Sequence, residues 1–199
     1  MGRDEVSYMK HEYISDYLKN TIDAVNKLDI TAINKAIREI IKLKKRKGRL
    51  FLLGVGGSGA NCSHAVNDFR KICHIESYTP LDNVAELTAR TNDDGWNSVF
   101  VNWLKVSRLS KIDVVMVFSV GGGNLKKNTS VNIVNALKYS KSIGARIIGI
   151  VSRDGGYTKK VADVTIMIPV ISEDTITPFA ESLQAVIWHA MVNHPELKS

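Results

Sequence analysis

Three glycine-rich stretches of the chain have the composition of loops that bind phosphate. They run over 54–60, 119–124 and 153–156. Glycine lets the backbone approach a ligand, and a helix starting after such a loop offers unpaired N–H groups and a partial positive charge. Each stretch alone is equally typical of a tight turn. The first has the spacing of a dinucleotide site, but the acidic residue and the Gly-Lys-Ser/Thr motif of nucleotide sites are missing. Two such loops at one crevice therefore favour a sugar phosphate over a nucleotide as the ligand.

Two pairs of titratable side chains have the types needed for acid–base or metal chemistry. His64 and Asp68 are four residues apart on a predicted helix, so they share one face and could bind a metal ion or move a proton. The alternative is an ordinary solvent-exposed pair. Glu181 and His189 lie on a predicted final helix, where eight residues span about 12 Å. A half-buried histidine without a chemical role is equally compatible with that spacing, which leaves the choice open.

Five short apolar runs, which must position these residues, are typical of strands buried on both faces. We predict strands over 50–55, 74–78, 114–119, 146–151 and 164–168. Helical periodicity occupies the segments 61–69, 96–109, 130–142 and 178–193. Alternating strands and helices predict an α/β fold with a mainly parallel, five-stranded sheet. The carboxyl ends of parallel strands would bring the glycine-rich loops to one edge of this sheet.

The chain is predicted to form one domain over residues 1–199. Two leading helices make an extension over 1–48, and the α/β core occupies 49–199. The apolar rows of the leading helices exceed what one sheet face needs, which indicates an extra layer or a partner interface. With 199 residues, 44% of them hydrophobic, the chain can bury a stable core without covalent cross-links. Its two cysteines are too few for a disulfide framework.

Composition also narrows the partners and the compartment. The net charge of +7 includes a basic run, Lys42–Arg49, which could indicate a nucleic-acid patch. No aromatic residue is interleaved with it, and a basic helix end stopped by Gly48 explains it better. No apolar run approaches about 18 residues, and the N-terminus lacks the basic head and apolar stretch of a secretion signal. We expect a cytoplasmic protein with neither a nucleic-acid nor a membrane partner.

Taken in order along the chain, these motifs resemble those of the sugar isomerase (SIS) domain proteins, and within them the phosphoheptose isomerases. The resemblance covers nearly the whole chain. It comprises two leading helices, Gly-Gly-Ser at 56–58, Asn-Asp at 92–93, the Ser-led loop at 119–124, Asp-Gly-Gly at 154–156 and a terminal helix with His189. It implies a flavodoxin-like three-layer sandwich. It also implies conversion of sedoheptulose 7-phosphate to D-glycero-D-manno-heptose 7-phosphate, in heptose synthesis for lipopolysaccharide or capsule.

Matched residue by residue, the resemblance implies a site in three parts. Asp68 and His189 form the expected acid–base pair. A divalent metal ion, zinc in characterised relatives, is expected on His64, Asp68, Glu181 and His189. The implied substrate-binding residues are Gly56, Gly57, Ser58, Asn92, Asp93, Ser119, Gly121, Asn124, Ser130 and Glu181.

Several departures from the family pattern bear on the substrate. Asp68 replaces a glutamate, and Glu181 replaces a glutamine, which adds a negative charge. Gly121 replaces the second serine of the phosphate loop, and Val55 replaces an asparagine. The phosphate loop is also longer and contains two lysines, so that backbone amides and a lysine could preserve phosphate binding. These changes indicate a divergent subfamily.

The resemblance further implies a homotetramer with active sites at subunit interfaces, where His64 and His189 could converge from different chains. One alternative is an isomerase of another phosphosugar. A second is a non-catalytic adaptor, because a close relative of the family is a tetrameric adaptor that binds the bacterial replication initiator. A third is a sugar-phosphate-sensing regulator, but the leading helices lack a DNA-recognition pattern. Retention of both histidines favours an enzyme, because an adaptor needs no acid–base pair.

Overall fold

A computed structural model describes residues 3–198 of the chain, with side chains from residue 12 onward. Two leading helices precede a parallel sheet that is covered by further helices. The ends of the predicted 1–199 domain therefore lie outside the described residues. The helices are α1 (Arg3–Asn26), α2 (Ile30–Lys45), α3 (Gly57–Cys73), α4 (Val84–Asp94), α5 (Val99–Val106), α6 (Val131–Ile143), α7 (Gly156–Val161) and α8 (Ile176–Val192). The strands are β1 (Leu50–Leu53), β2 (Ser77–Tyr78), β3 (Val114–Ser119), β4 (Arg146–Val151) and β5 (Val164–Met167).

The sheet has the order β2-β1-β3-β4-β5, and every neighbouring pair is parallel. All carboxyl ends of the strands therefore meet at one edge. The chain order reverses between β1 and β3, and ligand crevices of open α/β sheets lie at such a switch point. The loop into α3 follows β1, and the Ser-led loop follows β3, so both phosphate-type loops flank this point.

Two apolar cores cover the two faces of the sheet. One lies under α2, α3 and α8 and includes Phe69, Phe118 and Trp188. The other lies under α5 and α6 and includes Phe100 and Leu137. The helix–sheet–helix layers confirm the predicted α/β sandwich. In the described part of the chain, no helix has the length and apolar character needed to cross a membrane.

The structure differs from the predicted elements mainly where burial is slight. Helix α4 was not predicted, because it buries none of its residues and so lacks an apolar period; the Asn83 side chain caps it by accepting the Glu86 N–H. The predicted second strand shrinks to two residues, because His74 ends α3 in the left-handed region at φ 53°. Helix α3 begins at Gly57, directly from the glycine-rich turn.

The basic run connects the end of α2 to the start of the sheet. Lys42, Lys44 and Lys45 occupy the last turn of α2, and the Lys44 ammonium donates to the Leu197 carbonyl at 2.9 Å. Arg49 then pairs with Asp113, the buried residue just before β3, at 2.9 Å. These contacts agree with the interpretation of the run as a helix end.

Candidate active site

A cleft of about 380 Å³ opens at the carboxyl ends of β1, β3 and β4. Five residues implied by the sequence line it: Ser58, Ser119, Gly121, Asn124 and Ser130. Lys127, Thr129, Arg153 and Thr177 line it as well. Hydroxyl, amide and cationic groups thus converge where the fold positions a ligand, beside the single carboxylate of Asp154. Apart from that acid, this is the composition expected of a phosphate subsite.

The second and third glycine-rich stretches interlock at the wall of the cleft. The Ser119 hydroxyl accepts the Gly122 N–H at 3.0 Å. The Gly122 carbonyl in turn accepts the Thr158 N–H at 2.9 Å and its hydroxyl at 2.8 Å. Gly122 and Gly156 both have positive φ, and a Cβ on either would collide with the backbone of the other turn. The third stretch therefore supports the second, while its Arg153 side chain faces the cleft.

The additional residues of the Ser-led loop form a small hairpin. Asn124 and Thr129 pair through two backbone hydrogen bonds of 2.8 and 2.9 Å, and the Asn124 carboxamide oxygen accepts the Lys127 N–H at 3.0 Å. Ser130 follows at φ 48° and leads into α6. Within residues 12–198, the Lys127 and Arg153 side chains form no hydrogen bond or ion pair, so both cationic groups can face an anion in the cleft.

Three of the residues implied as metal ligands come together between α3 and α8. The Nε2 atoms of His64 and His189 lie 3.5 and 3.3 Å from the same Asp68 oxygen, Oδ2. The two imidazole rings meet edge to face, with centroids 5.3 Å apart. Both histidines belong to the same chain here, so their convergence does not need a second subunit. The packing of α8 on α3 brings together residues that sequence spacing could not connect.

Trp188 is a site residue that the sequence did not single out. Its indole N–H donates to Asp68 Oδ2 at 3.1 Å, while the other carboxylate oxygen accepts from the Asn67 side chain at 3.1 Å. The indole is buried, stacks on Phe118 and contacts the edge of His64. A tryptophan in an apolar helix is typical of core, and so it gave no signal of this contact. It fixes the carboxylate between the two histidines.

The cluster has the chemistry of a divalent metal site. One ligand atom from each of His64, Asp68 and His189 lies within 4.8 Å of the others. Two imidazoles and one carboxylate match the three protein ligands of catalytic zinc sites, which keep a further position for water or substrate. Asp68 is buried, whereas the histidine side chains are 57% and 45% exposed, so the cluster is open to solvent on the histidine side.

Glu181 lies outside this group of three. Its carboxylate packs against Gly57 at the first turn of α3, where a Cβ would collide with it. Gly56, at φ 63°, forms the turn that precedes the helix. Neither glycine lines the cleft; they shape the entry to α3 that carries Ser58 into it.

Asn92 and Asp93 also lie apart from the cleft. They occupy the end of α4, where both are exposed and the Asn92 amide donates to the Asp93 carboxylate at 2.7 Å. In the single chain, some residues implied by the sequence line the cleft and others form the cluster. Asn92 and Asp93 belong to neither group and lie on the surface.

Known proteins resemble the chain over most of its length. The SIS domain model matches residues 12–152. A probable phosphoheptose isomerase from Thermoplasma volcanium is 31% identical over 179 residues, which cover 84% of this chain and 86% of that protein. A lincomycin biosynthesis protein from Streptomyces lincolnensis is 30% identical over 154 residues. That match covers 72% of this chain but only 54%, about half, of the Streptomyces protein.

Among solved structures, phosphoheptose isomerase GmhA from Neisseria gonorrhoeae has the same fold. It matches with a TM-score of 0.79 over 94% of this chain and 97% of its own, at 19% identity. The chain belongs to the SIS domain family. Within that family it is a divergent member of the phosphoheptose isomerase group, and by class a sugar-phosphate isomerase. The resemblance inferred from the sequence motifs is thereby confirmed.

Proposed function

We propose that the enzyme interconverts D-sedoheptulose 7-phosphate and D-glycero-D-manno-heptose 7-phosphate. The observation that carries this proposal is that one helix, α3, contributes residues both to the cleft and to the acid–base cluster. Ser58 in the cleft and His64 in the cluster are six residues apart, about 9 Å along the helix axis. In a seven-carbon sugar phosphate the reacting carbons C1 and C2 lie at the opposite end from the phosphate, so the cleft and the cluster could contact the two ends of one substrate.

Asp68 and His189 are the proposed catalytic pair. Isomerisation through an enediol needs one group that moves a proton between C1 and C2 and another that moves a proton between the two oxygens. Asp68 and His189 lie 3.3 Å apart, so one substrate end could contact both. The buried carboxylate is held by Trp188 and Asn67, while the exposed imidazole has access to the substrate.

We assign His64, Asp68 and His189 as the ligands of a divalent metal ion, with zinc preferred and Glu181 as the proposed additional ligand. Such an ion, when bound, supplies Lewis-acid polarisation of the substrate carbonyl. Metal analysis of the purified protein should find zinc, and His64→Ala should lose it. His194→Ala, which changes a half-buried histidine outside the cluster, should retain the metal. Equal metal content in both variants would contradict the assignment.

The phosphate is proposed to occupy the cleft. Ser58, Ser119 and Ser130 would donate through their hydroxyls, and Lys127 would neutralise part of the charge. The N-termini of α3 and α6, which both begin at the cleft, add a favourable field for an anion. The Gly121 backbone would contribute at the cleft, and the Asn124 side chain would contact the sugar or its phosphate. Gly56 and Gly57, which do not line the cleft, are proposed to act by shaping the turn that carries Ser58 into it.

Assembly as a homotetramer is proposed from the surface of α1. Its side chains Ile14, Leu18, Ile22 and Val25 are 43–61% exposed and recur at helical spacing, which makes an apolar row facing solvent in one chain. Asn92 and Asp93, exposed on α4, would contact the sugar across a subunit interface. A phosphorylated sugar is a cytoplasmic metabolite, and the product would enter heptose synthesis for lipopolysaccharide or capsule.

The cleft itself favours one second candidate, an isomerase of another phosphosugar. The hairpin at 124–129 and Gly121 give this cleft a different wall from the family pattern, and this favours a phosphosugar of another length as the alternative substrate. Relative kcat/KM values for ketose phosphates of five, six and seven carbons, followed by NMR of the products, decide between them. The heptulose phosphate should be preferred. A preference for a shorter ketose would transfer the assignment to that sugar, and no turnover of any would favour the adaptor.

A further inference from the structure

A network of side-chain amides connects α8 to Ser58 in the cleft through Asn61 and Gln184, two residues that take no part in the proposed chemistry. The Asn61 amide donates to the Glu181 backbone carbonyl at 2.9 Å and to the Gln184 carboxamide oxygen at 3.0 Å. The Gln184 amide then donates to the Ser58 hydroxyl oxygen at 3.1 Å. Gln184 is completely buried and Ser58 is 2% exposed, so water does not compete with the bond between them, whereas Asn61 is half-buried.

The Glu181 backbone carbonyl fixes the direction of every hydrogen bond in this network. A backbone carbonyl can only accept, so the Asn61 atom that faces the Glu181 carbonyl must be the amide nitrogen. That nitrogen requires an acceptor on Gln184, which therefore turns its oxygen toward Asn61 and its nitrogen toward Ser58. Ser58 must accept, and its own O–H proton remains to be donated.

The Ser58 proton is available to a ligand in the cleft. None of the side chains and backbone groups of residues 12–198 accepts a hydrogen bond from the Ser58 hydroxyl, and this residue lines the cleft. A hydroxyl that already accepts one hydrogen bond is a better donor, because bonds in a chain polarise one another. A fully ionised phosphoryl oxygen offers only acceptor sites, and so matches such a donor.

We infer that Gln184, oriented by Asn61, is a positioning residue that fixes the Ser58 hydroxyl as a donor to a phosphoryl oxygen in the cleft. This inference rests on the proposed function in so far as the cleft binds phosphate. It goes beyond that function by explaining why a buried carboxamide is needed on α8. Gln184 contacts no substrate and acts only through Ser58.

Binding of inorganic phosphate, followed by ³¹P NMR line broadening, tests the inference without turnover. Gln184→Met keeps the side-chain length but removes the donor, and should weaken phosphate binding about three- to tenfold. Gln184→Glu offers only acceptors, so that the Ser58 proton turns away from the cleft and binding should weaken further. Ile187→Val, a change at a buried apolar position on the same helix, controls for loss of packing and should leave the phosphate affinity unchanged.

A double-mutant cycle separates positioning from general damage to the fold. Because Gln184 acts through Ser58, adding Gln184→Met to Ser58→Ala should cause no further loss of affinity. Additive losses would overturn the inference, as would wild-type affinity in Gln184→Met; in both cases phosphate binding by the wild type leaves the phosphosugar assignment standing. A wild-type protein that binds no phosphate would overturn the inference together with that assignment.

Discussion

Asp68 is the side chain on which most of the proposed chemistry depends, and its surroundings explain how a shorter acid can occupy this position. Its Oδ2 atom faces both histidines and the Trp188 indole, while Oδ1 is held by Asn67. The family pattern has a glutamate at the position that Asp68 occupies in this chain. The buried indole stacked on Phe118 contacts the carboxylate of the shorter residue and holds it in one orientation.

At this scale we predict that Trp188→Phe lowers kcat about tenfold and leaves KM nearly unchanged, because a hydrogen bond to a charged group is lost far from the phosphate. Steady-state kinetics of both parameters provide the measurement. Trp103→Phe is the matched control, since Trp103 packs on Phe51 in the other core. A Trp188→Phe enzyme with wild-type kcat would show that the indole serves only for packing.

At the scale of the elements, loops after neighbouring strands make the cleft, and each loop has a different supporting partner. The turn after β1 is continuous with α3, whereas the loop after β3 rests on the turn after β4. The 124–129 hairpin projects from this supported base. The glycines at Gly122 and Gly156 permit the close backbone packing that keeps the base rigid.

Lys127→Met tests the hairpin as a phosphate-binding element. Removing the cation should raise KM for the sugar phosphate about three- to tenfold with little change in kcat, because the interaction is made equally in the ground and transition states. Lys126→Met is the control, because Lys126 lines a separate groove behind the hairpin. If both variants raise KM equally, the effect belongs to the net charge of the surface and not to the cleft.

The junction between β1 and β3 makes stability depend on pH. Burial raises the pKa of Asp113, but hydrogen bonds from Arg49 and Ser110 outweigh burial, so that the pKa lies below its usual value. A carboxyl with a lower pKa in the folded state stabilises the fold above its unfolded pKa of about 3.9, and this stabilisation is lost as the pH falls through the folded pKa.

Asp113→Asn should therefore lower the free energy of unfolding at pH 7 by about 3 kcal/mol. The difference from wild type should stay constant down to about pH 5 and shrink below about pH 4, as the pH falls toward the folded pKa. Urea denaturation followed by circular dichroism at several pH values measures both effects. Asp16→Asn, on the exposed face of α1, should change stability little. A deficit that stayed constant with pH would mean that the Asp113 charge contributes nothing.

At the scale of the whole molecule, the row of exposed apolar side chains on α1 predicts assembly. Leu18→Glu places a charge in the middle of this row and should reduce the mass measured by light scattering from four chains to fewer. Lys19→Glu also adds acidity to α1, but at a charged position beside Asp16, and should leave the assembly intact. A wild-type protein that is monomeric at micromolar concentration would contradict the proposed tetramer.

The sequence pattern predicted the α/β architecture because buried parallel strands are continuous apolar runs. It missed α4, whose exposed surface has no apolar periodicity. It also began the second strand at His74, whereas that strand begins at Ser77. In the site, the four-residue spacing of His64 and Asp68 was enough to place them on one face. The approach of His189 depends on how α8 packs against α3, which no local pattern encodes.

Two other parts of the site could not be read from the residue types. Trp188 and Gln184 lie on an apolar helix, where neither residue type by itself indicates a functional role. Their roles depend on single hydrogen bonds across the α3–α8 contact. Asn92 and Asp93 were implied by the resemblance alone, whereas Glu181 was also noted for its place on the final helix. In the single chain all three lie outside the cluster and the cleft.

The most direct test of the account is conversion of sedoheptulose 7-phosphate in D₂O, followed by NMR of the product, for the wild type and for His189→Ala. The account predicts that the wild type forms D-glycero-D-manno-heptose 7-phosphate with deuterium at C2, because acid–base transfer through an enediol exposes that position to solvent protons. The variant should be at least about 100-fold slower. Conversion with no deuterium at C2 would contradict the acid–base route, and no conversion by the metal-loaded wild type would contradict the substrate assignment.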